Sequence, residues 1–202
     1  MKKLLTLICI SLVIFAASIL PASAAVSHTV VRGDTMWKIA VKHEVGLSEL
    51  ANANPHIKNP ALIYPGDIIK IPATDSSVSA YEKEVIRLVN KERTSRSLPA
   101  LNEDWQLSRV ARYKSEDMRV RNYFSHTSPT YGSPFEMMKN FGINYKSAGE
   151  NIAKGQRTPE AVVNAWMNSP GHRANILNSS YTHIGVGYVK DGNIWTQMFI
   201  FK

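Results

Sequence analysis

The chain has 202 residues, a formal net charge of +8 and one cysteine, Cys9. That length allows one medium domain, or a small module followed by a medium one, and a lone cysteine excludes an intramolecular disulfide framework. No run of consecutive basic residues marks a nucleic-acid arm and no glycine-rich phosphate loop is present, so the positive charge serves solubility or attraction to anionic wall polymers, and no nucleic-acid partner is expected.

Lys2 and Lys3 precede an apolar run from Leu4 to Leu20, and Ala22-Ser23-Ala24 supplies the small-x-small pattern of a cleavage site. Residues 1–24 are therefore expected to be a signal peptide that directs export. The apolar run is nearly long enough to span a bilayer, but Pro21 and the small residues after it favour cleavage over a retained anchor. No membrane span is expected afterwards. Cleavage removes Cys9 and two lysines but no acid, taking the charge from +8 to +6 and leaving about 178 residues.

Residues 25–72 read as strand, helix, helix, strand. Ser27-His28-Thr29-Val30-Val31 has strand character, and Gly33-Asp34-Thr35 punctuates it before an apolar helical pattern at Met36, Trp37, Ile39 and Ala40. Ser48 is the expected N-cap of a second helix ended by Pro55, and Ile68–Ile71 reads as a short strand closed by Pro72. Asp34 and Thr35 are candidates for helix capping, and Trp37 is expected in the core.

Residues 73–80 are small and polar and read as a linker. Its Ala73–Ser79 stretch reaches roughly 25 Å when extended. Residues 81–202 form a second unit. Helical patterns are expected over Tyr81–Arg93, around Leu107, Val110, Ala111 and Met118, over Pro134–Phe141, and from Thr158 to about Asn168, with Pro159 in the first turn. The tail alternates with period two on both sides of Lys190-Asp191-Gly192-Asn193 and is expected to form a hairpin. Helices followed by a late antiparallel pair make the fold class α+β.

The first unit resembles the LysM family in His28-Thr29-Val30, Gly33–Ala40, Leu50–Pro55 and Ile63-Tyr64-Pro65-Gly66-Asp67 through Pro72. The resemblance implies a small βααβ module that binds peptidoglycan glycan strands containing N-acetylglucosamine. The groove would lie between Gly33-Asp34-Thr35 and Ile63-Tyr64-Pro65. Loops at one end of a rigid helix pair can supply amide donors and acceptors for acetamido groups and apolar surface for sugar faces.

In the second unit, Ser125-His126-Thr127-Ser128-Pro129, Ala148-Gly149-Glu150-Asn151-Ile152-Ala153 and Ser169-Pro170-Gly171-His172-Arg173-Ala174-Asn175-Ile176-Leu177 occur in that order on segments read as turn-rich punctuation. They resemble the CAP superfamily of cysteine-rich secretory, antigen-5 and pathogenesis-related proteins. That resemblance implies an α-β-α sandwich whose cleft is lined by two histidines and two acids. His126, Glu150 and His172 match three of those positions, while Trp166-Met167-Asn168-Ser169 offers no second acid. Two imidazoles and a carboxylate are a donor set for a divalent metal such as zinc, and the same groups can move protons. Each also has a structural reading: Glu150 accepting amides within a loop, His126 holding its turn, His172 capping Pro170-Gly171. Asn151 and Asn175 are expected to tie loops to the core.

Three functional classes follow: a wall-anchored protein whose cleft binds a ligand or a wall or spore protein, a metal-dependent hydrolase at the wall, and a secreted effector. The first is expected. The missing second acid, together with the absence of a cysteine nucleophile or a Gly-x-Ser-x-Gly elbow, argues against the second. Only the basic charge speaks for the third.

Overall fold

A computed structural model describes residues 26–73 and 75–202; the expected signal peptide, with Cys9, lies outside the described residues. In the first unit, β1 (Ser27–Thr29) pairs antiparallel with β2 (Ile68–Lys70), and α1 (Met36–Lys42) and α2 (Leu47–Asn52) lie between them in sequence. The βααβ order is as expected.

Met36, Ile39 and Ala40 form the inward stripe of α1 and meet Val30, Leu50, Ile69 and Ile71 in a small core. Trp37 departs from expectation. One residue on from Met36 the helix has turned about 100°, and Trp37 faces out, 53% exposed. The N-cap of α2 is Gly46 rather than Ser48, whose hydroxyl donates to the neighbouring Glu49 instead. Asn54 is fully buried; its amide donates to the carbonyls of Leu50 and Lys70 and its Oδ1 accepts from the Lys70 amide, tying α2 to β2.

The second unit begins earlier than the sequence implied. α3 (Ser76–Thr94) starts inside the expected linker, with Asp75 as N-cap accepting from the Ser77 amide at 2.8 Å. Five of the eight linker residues, 76–80, are helical, which shortens the connection, so the extended-reach estimate does not apply. β3 (Asn102–Glu103) and α4 (Trp105–Val120) come next, followed by α5 (Pro134–Asn140), β4 (Ser147–Lys154), α6 (Pro159–Met167) and α7 (Pro170–Ile176). The hairpin of β5 (His183–Val189) and β6 (Ile194–Phe201) closes the chain.

The sheet order is β3-β5-β6-β4, with β3 parallel to β5 and the other pairs antiparallel. Alternation along β5 and β6 sends Ile184, Val186, Tyr188, Trp195 and Phe199 into a core with α3, α6 and α7. Met198 and Ile200 point the other way, into a core with α4 and α5. This is the expected α-β-α sandwich. Gly185 and Gly187 permit the close approach of α4: a Cβ on either would collide with the α4 backbone. Ser115 on α4 bridges the gap, donating to the Gly187 carbonyl at 3.0 Å.

Candidate functional site

The two loops expected to hold glycan leave the same end of the first unit's ladder. Val30 donates to the Asp67 carbonyl and Gly66 to the Val30 carbonyl, both at 2.9 Å, which brings the loops side by side. Gly33 turns the first loop at φ +92°, a left-handed value that favours glycine. Thr35 caps α1, accepting from the Lys38 amide at 3.1 Å. Asp34 does not cap the helix. Its carboxylate accepts from the Val31 amide at 3.0 Å and from His28 at 2.9 Å, and these two bonds hold it below the usual carboxylate range. In the second loop Ile63 packs against the module core, whereas Tyr64 and Pro65 are exposed. Gly33, Thr35, Tyr64 and Pro65 are therefore the accessible part of the expected groove.

In the second unit, Glu150 is not in a loop. It lies on β4, opposite Met198 of β6, with its side chain only 2% exposed. His126, in the segment between α4 and α5, reaches it through Nδ1 at 2.7 Å from Oε1. The imidazole is half-exposed, and a ring proton on Nδ1 makes this bond a donation to Oε1 and leaves Nε2 as an acceptor. His172 is not in a turn either. Ser169-Pro170 starts a helix, since proline at the first position lacks only an amide that would be unpaired there, and His172 rides on α7. Burial lowers the His172 pKa, and the neighbouring His126 lowers it further.

A polar lattice seats α7 on β4. Asn151 is fully buried and donates to the His172 carbonyl at 3.1 Å and to Gln197 Oε1 at 2.9 Å. Asn175 donates to the Glu150 carbonyl at 3.2 Å and to Asn151 Oδ1 at 2.8 Å. Both asparagines play the structural part expected of them, except that they join a helix to a strand. Buried Arg93 on α3 fixes the far end of α7 by donating to the carbonyls of Ile176 and Asn178, both at 2.8 Å.

Two residues of the site escaped the sequence reading. Lys114 on α4 is fully buried, donates through Nζ to the His126 carbonyl, and stands over the Tyr123 ring at 5.4 Å. Burial lowers its pKa against the opposing pull of Glu150 and Asp117. Asp117, one turn on, accepts from Ser128 at 2.7 Å, Thr130 at 2.6 Å and Tyr123 at 2.6 Å. Burial would raise its pKa, but these hydrogen bonds and Arg121 bring it below the usual range. Together they brace the loop that carries His126. Their i, i+3 spacing on α4 is the available signal, but the same spacing also suits an ordinary solvated ion pair.

The three groups are not arranged as a ready three-ligand metal site. Glu150 Oε1 is engaged by His126, Oε2 is enclosed without a partner, and no group of three His, Cys, Asp or Glu among the described residues converges with metal-binding geometry. The geometry forms a histidine–carboxylate pair with a second imidazole nearby.

Comparison with known proteins gives a consistent family assignment. Residues 86–201 match the model of the cysteine-rich secretory protein family, CAP, and residues 28–72 match the LysM domain. An uncharacterized Bacillus subtilis protein, YkwD, is 68% identical over 127 residues, covering 63% of this chain and 49% of the relative. The spore coat assembly protein ExsA of Bacillus cereus is 48% identical over 46 residues, 23% of this chain and 7% of its own. Among solved structures, an extracellular Bacillus anthracis protein containing an SCP domain superposes with a TM-score of 0.61 at 34% identity, covering 68% of this chain and 47% of that one. The chain thus spans about half the length of the Bacillus subtilis relative it matches.

Proposed function

The chain belongs to the cysteine-rich secretory protein (CAP) family and carries a LysM domain ahead of its CAP domain, and from this premise we propose that it is an exported, wall-associated binding protein. In this reading the LysM loops hold N-acetylglucosamine-containing peptidoglycan, and the CAP cleft presents His126, held from behind by buried Glu150, and His172 to a ligand. The observation that carries it is the pair of loops at one end of the module, which leaves Gly33, Thr35, Tyr64 and Pro65 open to solvent. No helix among the described residues is long and apolar enough to cross a membrane. The spore-coat name of one relative, similar over 46 residues, supports the spore surface as a further place of action.

The cleft works by hydrogen bonding. Glu150 holds the Nδ1 proton of His126, so Nε2 accepts a proton or a hydrogen bond from an N–H or O–H group of the ligand. A wall peptide or a partner protein offers such donors. Enclosure of the carboxylate helps hold the ring, because His126 is its side-chain hydrogen-bond partner and Oε2 has none among the described residues.

The test uses the full mature chain and purified peptidoglycan. It is expected to sediment with the wall in about 1 M salt, where charge attraction is screened within about 3 Å, and a Tyr64→Ala variant is expected to remain largely in the supernatant. Equal sedimentation of both, abolished by salt, would replace the glycan reading with charge adhesion.

A further inference from the structure

The two domains meet at a polar clamp. Glu49 on α2 accepts from Arg109 Nε at 2.6 Å and Nη2 at 2.9 Å, and from the Tyr113 hydroxyl at 2.7 Å, both partners lying on α4. Arg109 also lies over the Tyr113 and Phe141 rings, 5.4 Å from each centroid. Gly46, buried where α2 begins, is pressed so close that a Cβ there would collide with both Glu49 and Arg109. A bidentate pair with a third hydrogen bond and stacked rings fixes orientation as well as distance.

Beside this clamp runs a groove of about 510 Å³ with one wall from each domain. Trp37 and Ser48 belong to the LysM wall; Trp105, Gln106, Asn140 and Phe141 belong to the CAP wall. The volume falls within the roughly 300–1,000 Å³ of small-ligand sites. Trp37 adds nothing to the LysM core, yet it is held out at 53% exposure on the side facing this groove. A large exposed indole beside amide and hydroxyl groups is the chemistry that receives the apolar face of a sugar ring while hydrogen-bonding its substituents.

Charge selects the occupant. Arg109 is the one charged residue lining the groove among the described residues, and its guanidinium is committed to Glu49. A groove without a free charge offers an anionic wall polymer no counter-ion, but it suits a neutral, amide-bearing saccharide. We infer that the seam between the domains is a second saccharide site, taking one or two neutral N-acetylated sugar units between Trp37 and the Trp105, Gln106 and Asn140 wall. This rests on the glycan-binding reading above and adds to it a contact that neither domain provides alone. A single LysM loop site joined to a fixed second contact raises effective affinity without a second module.

The full mature chain would be titrated calorimetrically with the pentamer of N-acetylglucosamine, beside three variants: Trp37→Ala, the double Gln106→Ala with Asn140→Ala, and Tyr64→Ala in the loop site. All these side chains lie at or near the surface, and circular dichroism with thermal melting would verify folding. Trp37→Ala and the double variant are each expected to weaken binding about 3- to 10-fold, the effect typical of one lost aromatic contact or a few hydrogen bonds. Loss in Tyr64→Ala alone would overturn the seam site and leave the loop reading standing. A loss in Trp37→Ala without one in the double variant would confine the contact to the LysM domain and equally overturn it. A wild-type chain that does not bind the pentamer would remove both.

Discussion

Lys114 carries more of the cleft than its absence from any motif suggests. It is a fully buried ammonium that bonds the His126 carbonyl and lies in the field of Glu150 and Asp117. Lys114→Met keeps much of the volume but leaves that carbonyl without its donor and removes a positive charge near Glu150 and Asp117, of which Asp117 keeps Arg121 at 3.3 Å. The expected cost is about 1–3 kcal/mol of unfolding free energy, measured by urea denaturation, together with altered ring signals of His126 in NMR spectra. An unchanged midpoint and spectrum would make Lys114 incidental. His126, Glu150 and His172 were legible as a set because their flanking residues match a family pattern, whereas Lys114 and Asp117 sit in a helix whose sequence looks amphipathic and ordinary. The Trp37 side chain shows the same limit, since Met36, Ile39 and Ala40 already fill the inward stripe.

Among the elements, β4 and α7 were the hardest to read. Ala148-Gly149-Glu150-Asn151 is poor strand sequence, and it becomes a strand because all eight residues of β4 pair in register with β6. In α7, Ser169-Pro170-Gly171 resembles a turn, yet serine before proline is also how a helix begins. The contact of α4 with β5 is the most sensitive joint. Gly187→Ala would drive a methyl group into the backbone of Ala111 and Arg112, so a loss of more than about 2 kcal/mol is expected, well above an average surface substitution. A thermal melt of this variant that matched the wild type would show that the helix can shift outward freely.

At the scale of the whole molecule, the Glu49 clamp is expected to make domain orientation sensitive to acid. Burial alone would raise the Glu49 pKa, but the hydrogen bonds from Arg109 and Tyr113 outweigh it and hold the group at about 2. A depressed carboxylate pKa stabilises the paired state fully above the ordinary value of 4.5, and that contribution is lost as pH falls from there toward about 2. Small-angle scattering is expected to show constant dimensions from neutral pH to about pH 4.5 and expansion below it, while Glu49→Gln expands already at neutral pH. Identical profiles for the two proteins would mean that the clamp does not set the orientation.

The sequence by itself determined the βααβ module and the main helices and final hairpin of the sandwich, and it singled out His126, Glu150 and His172 as candidates, because periodicity and family motifs are local properties of the chain. Only the tertiary structure decided that Glu150 is a buried strand residue tied to His126, that Lys114 and Asp117 brace that pair, and that Glu49 meets Arg109 across a boundary of 60 residues. Each of these depends on burial and on partners distant in sequence, and neither has a signature in the order of neighbouring residues.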